Sequence, residues 1–174
     1  MSFLNELLGR KNPNLVMQPL YNAVIAEGRQ PDWYEKGAVP DTLDGRFDMI
    51  AAILCAVMIR MDQSDEARQE IAWLTELFVT DMEGQLRQIG IGDLIVGKRV
   101  GDMMSALGGR LGAYGEALTG DADLAAALTR NLYRGEAPEP AALDFSTKRF
   151  SGFYSFLVET ATDQIIAGNI AKAA

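Results

Sequence analysis

Residues 64–90, SDEARQEIAWLTELFVTDMEGQLRQIG, decide the fold class of this chain. Ser64 can cap a helix, with Asp65 and Glu66 in its positively polarised first turn, and Gly90 can end that helix. Between these limits, apolar residues recur at steps of three and four: Ala67, Ile71, Leu74, Phe78, Met82, Leu86 and Ile89. This spacing predicts an amphipathic helix whose apolar face meets a core.

The sequence that follows predicts two further helices. One is closed by Gly120, and the other fits residues 121–133, where Asp121 or Asp123 can act as the cap. The apolar stripe of the first consists of Val100, Met103, Met104, Leu107, Leu111, Tyr114 and Leu118. Both patterns have the helical period, so the chain continues as packed helices.

A proline-containing segment precedes the last predicted helix. Residues 135–144, GEAPEPAALD, predict a linker because Pro138 and Pro140 break what precedes them. The final helix is expected from near Ser146, with one side formed by Phe150, Phe153, Leu157, Ala161 and Ile165.

The sequence before residue 64 predicts two helices separated by a loop. The first covers residues 20–27, and residues 29–42 form a long aromatic loop with room for one helical turn. The apolar run 49–59, MIAAILCAVMI, is too short to span a bilayer and predicts a core helix that Asp41 or Asp44 can cap. Because no segment alternates like a strand, the prediction is an all-α fold, a single compact helical domain of about six to eight helices.

Composition excludes several classes of function. The 174 residues carry 16 Lys and Arg against 24 Asp and Glu, a net charge of −8, which disfavours broad nucleic-acid binding. No histidine is present, so Ser-His-Asp and Cys-His catalysis and histidine zinc sites are excluded. The single cysteine, Cys55, lies in the apolar run and is expected to be buried. The N-terminal sequence does not resemble a secretory signal, so we expect a soluble intracellular protein.

The stretch GDLIVGKR at residues 92–99 approaches the phosphate-loop pattern G-x-x-x-x-G-K-[ST]. Arg99 stands where the magnesium-binding hydroxyl belongs, and the residues before Gly90 predict a helix instead of the required strand. We therefore interpret the stretch as a helix–helix turn through Gly90 and Gly92, with Asp93 capping the next helix.

Glycines recur on one side of that next helix, at Gly101, Gly108, Gly112 and Gly115. Each one costs a helix up to ~1 kcal/mol relative to alanine. A close approach by another helix would explain them, either within the domain or from a partner. Of these two alternatives, we favour packing within the domain.

Charged groups in the sequence are mostly expected at the surface. Asp44 and Asp48 lie one helical turn apart, as do Glu66 and Glu70, and a solvated face is the favoured interpretation of both pairs. Basic doublets occur as Arg10-Lys11, Lys98-Arg99 and Lys148-Arg149; together they could form a contact patch on an acidic protein.

Four stretches in order resemble the ubiquinol–cytochrome c chaperone family. They are GAVPDTLDGRFDM (37–49), LFVTDMEGQLRQIGIGDLIVGKRV (77–100), GRLGAY (109–114) and DADLAAALTRNLY (121–133). The resemblance covers roughly residues 20–133. It implies one helical chaperone domain over residues 1–174, with a family-like core at about 20–133 and C-terminal helices at 139–170.

The resemblance also implies a function. Members of this family are all-helical assembly factors of ubiquinol–cytochrome c reductase, are not known as enzymes, and bind newly made cytochrome b. They act with a small partner and associate with the ribosome. We therefore expect a cytoplasmic chaperone, also found at the inner face of the membrane, whose partner is a cytochrome b precursor or another respiratory-complex subunit. No cofactor and no nucleic-acid partner are expected, and membrane contact would come only through the client.

The alternatives are a carboxylate–magnesium enzyme acting on a phosphorylated small molecule and a helical dimerising adaptor. Under the chaperone prediction, no catalytic, cofactor-binding or metal-binding residue is assigned. The candidate partner-binding residues are Tyr34, Asp41, Arg46, Asp81, Arg87, Asp93, Lys98, Arg99, Met103 and Arg110.

Overall fold

The computed structural model describes residues 12–64 and 67–171, with only the backbone described at Leu94. A 3₁₀ turn, Pro13–Met17, leads into eight α-helices within this part of the chain. They are α1 (Gln18–Gly28), α2 (Pro31–Glu35), α3 (Leu43–Asp62), α4 (Arg68–Gln88), α5 (Asp93–Thr119), α6 (Leu124–Asn131), α7 (Pro140–Glu159) and α8 (Thr162–Ile166). The described residues form no strand, which confirms the predicted all-α class.

Helix α3 forms the centre of the molecule. Every residue from Met49 to Met58 is buried, and the helix packs against α1, α4, α5 and α7. A helix that is apolar on all sides must be covered on all sides. This confirms the predicted core helix and places Cys55, with no exposed surface, inside it.

The N-cap residue of α3 is neither of the two residues predicted for it. Thr42 is the N-cap, and its hydroxyl accepts a hydrogen bond from the Gly45 amide at 3.1 Å. Asp41 instead pairs with Arg46, and Asp44 lies inside the first turn. The predictions of Asp41 and Asp44 as caps were therefore wrong, because both carboxylates have arginine partners.

Helix α4 has the predicted apolar stripe, but the last stripe residue and the N-terminal cap differ from the prediction. Leu74, Phe78, Met82 and Leu86 are buried. Ile89 lies just past the helix and is 57% exposed, so its placement toward the core was wrong. Ser64 was also wrong as the predicted cap, since the N-cap residue is Ala67 and no side chain caps the helix. Asp65 and Glu66 fall outside the described residues.

The turns around α5 and α6 are formed by glycine and aspartate. Gly90 follows α4 with a φ of 84°, and Gly120 ends α5 with a φ of 94°, in the left-handed region that glycine adopts readily. Asp123 caps α6, its carboxylate accepting from the amides of Ala125 and Ala126. The predicted ends at Gly90 and Gly120 and the cap at Asp123 are confirmed.

Helix α7 begins six residues before its predicted start. Pro140 lies in its first turn, where its missing N–H and fixed φ suit a helix. The helix was predicted from near Ser146, and the linker predicted over residues 135–144 was wrong from Pro140 onward. The helix ends at Glu159, and Ile165 belongs to the separate helix α8. Arg60 of α3 holds this end by donating to the carbonyls of Leu157 and Thr160, at 2.9 Å each.

The aromatic loop after α1 contains the predicted helical turn, α2. Trp33 is fully buried there, and its indole N–H donates to the Glu27 carbonyl at 3.1 Å. The Arg149 guanidinium lies 4.4 Å from the ring centroid and also pairs with Glu27 and Asp32. Of the doublet Lys148-Arg149, only Arg149 thus stabilises this loop, since Lys148 pairs with Asp144 of its own helix. Arg10 and Lys11 lie outside the described residues.

Among the described residues, no neighbouring helix packs closely against the glycines of α5. At Gly101, Gly108, Gly112 and Gly115, an added Cβ would meet no described atom within 4 Å. By contrast, at Gly37 an added Cβ would lie 2.5 Å from the Trp33 carbonyl oxygen and the Ser146 hydroxyl. The described residues therefore do not show the intradomain packing that we expected at the α5 glycines.

Candidate functional site

A cleft of about 490 Å³ lies where three helices meet. Its walls come from the first two turns of α3, the end of α4 and the middle of α5, with Arg29 and Arg134 added from the segments after α1 and α6. These stretches are far apart in sequence, and packing around α3 brings them together.

The floor of the cleft is apolar. It is formed by Phe47, Ile50, Met82, Leu86 and Met103, of which Ile50, Met82 and Leu86 are buried. Two large side chains on the rim are mostly in solvent: Leu43 is 60% exposed and Ile89 is 57% exposed. Apolar side chains of this size, exposed together beside a concave surface, are typical of a binding groove.

A buried carboxylate forms the polar end of the cleft. Asp48 has no exposed surface and accepts from Arg110 Nη2 at 2.5 Å and from Arg134 Nε at 2.6 Å. Arg134 also pairs with Asp44 at 2.9 Å. Burial raises the pKa of Asp48, while the hydrogen bond from Arg134 and the charge of Arg110 oppose that rise. The solvated-face interpretation was therefore wrong for Asp48, whereas Asp44 is 72% exposed in its side chain.

Arg110 is held more tightly than an ordinary surface arginine. Its side chain is 10% exposed, and its guanidinium carbon lies 5.6 Å from the centroid of the Phe47 ring. Nη2 also lies 3.5 Å from the Asn131 carbonyl oxygen, but Nε and Nη1 have no hydrogen-bond partner among the described residues. Buried donors without partners are uncommon and costly.

The cleft is basic on an acidic protein. Its lining contains five arginines, Arg29, Arg46, Arg99, Arg110 and Arg134, against three carboxylates, Asp44, Asp48 and Asp102. The whole chain has a net charge of −8. An apolar floor with a basic wall suits a ligand that is apolar and negatively charged.

Four of the ten predicted partner-binding residues line this cleft. They are Arg46, Arg99, Met103 and Arg110. Their role as partner contacts stays a prediction, because the geometry gives only their position.

The other predicted residues lie around the cleft or have internal roles. Asp41 pairs with Arg46 at 2.6 Å, which lowers the pKa of Asp41. Arg87 forms ion pairs with Glu83 and Asp93, each at 3.2 Å. Asp93 lies in the first turn of α5, and the N-cap of that helix is Gly92. The predicted capping role of Asp93 was therefore wrong.

Tyr34, Asp81 and Lys98 complete the set. The Tyr34 hydroxyl donates to the Gly28 carbonyl at 2.7 Å, and its pKa is raised by burial. Asp81 accepts from the Tyr21 hydroxyl at 2.7 Å and so joins α4 to α1. Lys98 is exposed on α5 beside a shallow depression that it lines together with Ile95 and Arg99.

Sequence reasoning missed several residues of the cleft. Arg29 and Arg134 follow short helices and belong to no stripe, and Leu43 lies outside the apolar run. Ile89 was assigned to the core because it continues the α4 stripe, although the helix ends before it. A signal was available at Ile89, since a residue next to the helix-ending Gly90 no longer follows the helical period.

The phosphate-loop resemblance has no structural counterpart. Residues 93–99 form the first two turns of α5, and the preceding element is helix α4. Within residues 12–64 and 67–171, no three Cys, Asp or Glu side chains group as metal ligands would. The helix–helix turn is confirmed, and the magnesium-enzyme alternative is not favoured.

Comparisons with known proteins agree with this geometry. The sequence profile described as ubiquinol-cytochrome C chaperone matches residues 35–168, which include every helix from α3 to α8. No curated protein sequence matches the chain. A solved structure, the Cbp3 homolog from Brucella abortus, is similar with a TM-score of 0.79 and 30% identity, covering 99% of this chain and 97% of that one. The profile match and this structural similarity establish that the chain belongs to the ubiquinol–cytochrome c chaperone family.

Proposed function

We propose that this protein is an assembly chaperone of ubiquinol–cytochrome c reductase that holds newly made cytochrome b. The observation that carries the proposal is the family match over residues 35–168, together with similarity to the Cbp3 homolog along nearly the whole chain. The protein acts by binding another polypeptide and not by making or breaking bonds.

The cleft between α3, α4 and α5 is our candidate for the client-binding surface. Its apolar floor and exposed rim fit the helix-in-groove mode, in which an amphipathic or apolar helix lays one face into a groove. Met82 and Met103 suit such a surface, because the unbranched methionine side chain adapts to different partners.

The partner and location of this protein follow from the same proposal. Cytochrome b is a membrane protein, so its chaperone meets it on the cytoplasmic side or at the inner face of the membrane. Among the described residues, no helix is both long enough and apolar enough to cross a bilayer. The small partner protein and the ribosome, implied by the family resemblance, stay predictions.

Deletion of the gene tests the proposal. We expect assembled cytochrome b, measured from its absorbance in membranes, to fall while its transcript is unchanged, and the wild-type gene to restore it. A normal amount of assembled cytochrome b in the deletion strain would contradict the proposal. The dimerising-adaptor alternative is separated by the same experiment, because mere dimerisation predicts no loss of cytochrome b.

A further inference from the structure

We propose that the cleft recognises a client helix that is apolar but carries a carboxylate, and that the carboxylate is bound by the arginines of the cleft. This inference rests on the proposed chaperone function and adds to it the chemistry of the bound segment. It is carried by the apolar rim, by two arginines that have no ion-pair partner in the described part of the chain, and by the buried donors of Arg110.

The apolar part of the cleft sets the first requirement. Leu43 of α3 and Ile89, which follows α4, both line the cleft, and more than half of each residue is exposed. Covering them would remove apolar surface from water, which favours binding. Because the cleft is too small to enclose a whole helix, it accepts one face, with anchors at i, i+3, i+4 or i+7.

The charges of the cleft set the second requirement. Arg46 and Arg134 already pair with Asp41, Asp44 or Asp48. In contrast, Arg29 and Arg99 make no side-chain hydrogen bond and no ion pair with any described residue, although both line the cleft. An uncharged apolar helix would desolvate these two guanidinium groups without a partner, which is unfavourable. A carboxylate on that helix would supply one.

Arg110 strengthens the same preference. It forms part of the cleft wall, and its side chain is nine-tenths buried. Its Nε and Nη1 donors lack partners within residues 12–64 and 67–171. Its one carboxylate partner among the described residues, Asp48, is shared with Arg134. Two donors at this end of the cleft thus lack a described acceptor, and a ligand that brings carboxylate oxygens is favoured over one that brings a cation.

Synthetic peptides can test this chemistry on the full chain. Three fluorescent helical peptides rich in leucine and alanine would differ at one central position, carrying Glu, Gln or Lys there, and binding would be followed by anisotropy. We expect the Glu peptide to bind about tenfold more tightly than the Gln peptide. The Lys peptide should bind most weakly, and added salt should reduce the differences.

Charge reversal locates the binding. Each of the variants Arg29→Glu and Arg99→Glu should bind the Glu peptide more weakly and the Lys peptide more tightly than the wild type does. Arg130→Glu is the matched control, because Arg130 is exposed, lies outside the cleft lining and makes no ion pair with a described residue. Far-UV circular dichroism of each variant checks that the helices are intact.

Three results would overturn the inference. Equal binding of all three peptides would mean that apolar contact alone operates. Glu-peptide binding unchanged in both cleft variants would place the site elsewhere. Binding of laurate with no peptide binding would identify a small amphiphile as the ligand instead.

Capture of newly made cytochrome b from cells separates this inference from the proposed function. If wild-type protein captures cytochrome b but the peptides are not distinguished by charge, the inference fails and the proposed function stands. If the peptides are distinguished as expected but cytochrome b is never captured, the cleft chemistry stands and the proposed client is wrong.

Discussion

At the scale of single residues, the Asp48 carboxylate joins three parts of the chain. It belongs to α3, and it is bound by Arg110 of α5 and by Arg134, which follows α6. Arg134 holds a φ of 53°, in a region that residues other than glycine rarely adopt. The two ion pairs fix this conformation and with it one end of the cleft.

Asp48→Asn should lower the free energy of unfolding by ~3–5 kcal/mol, because removing the carboxylate leaves Arg110 buried without a counter-charge. Denaturant titration of the variant and the wild type measures the change. Asp41→Asn is the matched control: its carboxylate also pairs with an arginine, but in solvent, and its midpoint should stay at the wild-type value. Equal midpoints for all three proteins would show that Asp48 does not stabilise the fold.

Cys55 gives a second prediction at this scale. Its thiol has no exposed surface, and burial raises its pKa to about 12, so the reactive thiolate is absent near neutral pH. We expect no reaction with a thiol reagent in the native protein and complete reaction in denaturant. Rapid modification of native protein would contradict the placement of Cys55 in the core.

At the scale of helices, α5 combines an apolar stripe with glycines that touch nothing in the described residues. Glycine lowers helix stability because the unfolded chain has more backbone freedom to lose. In other parts of the chain, glycine is required by close approach. At Gly45, for example, a Cβ would overlap the Pro40 carbonyl.

Replacing these two kinds of glycine by alanine should have opposite effects on the stability of the protein. Gly108→Ala should stabilise the protein by up to ~1 kcal/mol, since the added methyl group would meet no described atom of a neighbouring element. Gly45→Ala should destabilise it, because backbone atoms must move. Thermal unfolding followed by circular dichroism measures both. A lower midpoint for Gly108→Ala would mean that the glycines of α5 pack against something in the folded chain.

The helices themselves were largely predictable, because their signals are local. The stripes of α4 and α5 and the ends at Gly90 and Gly120 follow from side-chain spacing and glycine conformation. The start of α7 could not be predicted, since Pro140 suits a helix start as well as a linker, and only packing decides between them.

At the scale of the whole molecule, the cleft could not be predicted from spacing. Its walls come from α3, α4 and α5, and nothing in the sequence gives their relative placement. Asp48 illustrates the reason: a carboxylate one turn from another normally lies on a solvated face, but here α5 covers it and supplies Arg110. The family resemblance supplied the function that periodicity alone could not.

The proposed function requires that this protein binds newly made cytochrome b transiently. Pulse labelling of cells, followed by affinity capture of this protein during a chase, tests it most directly. Labelled cytochrome b should be captured at once and should leave the protein as the assembled reductase gains label. The absence of labelled cytochrome b at every time point, in cells that are making the complex, would contradict the account.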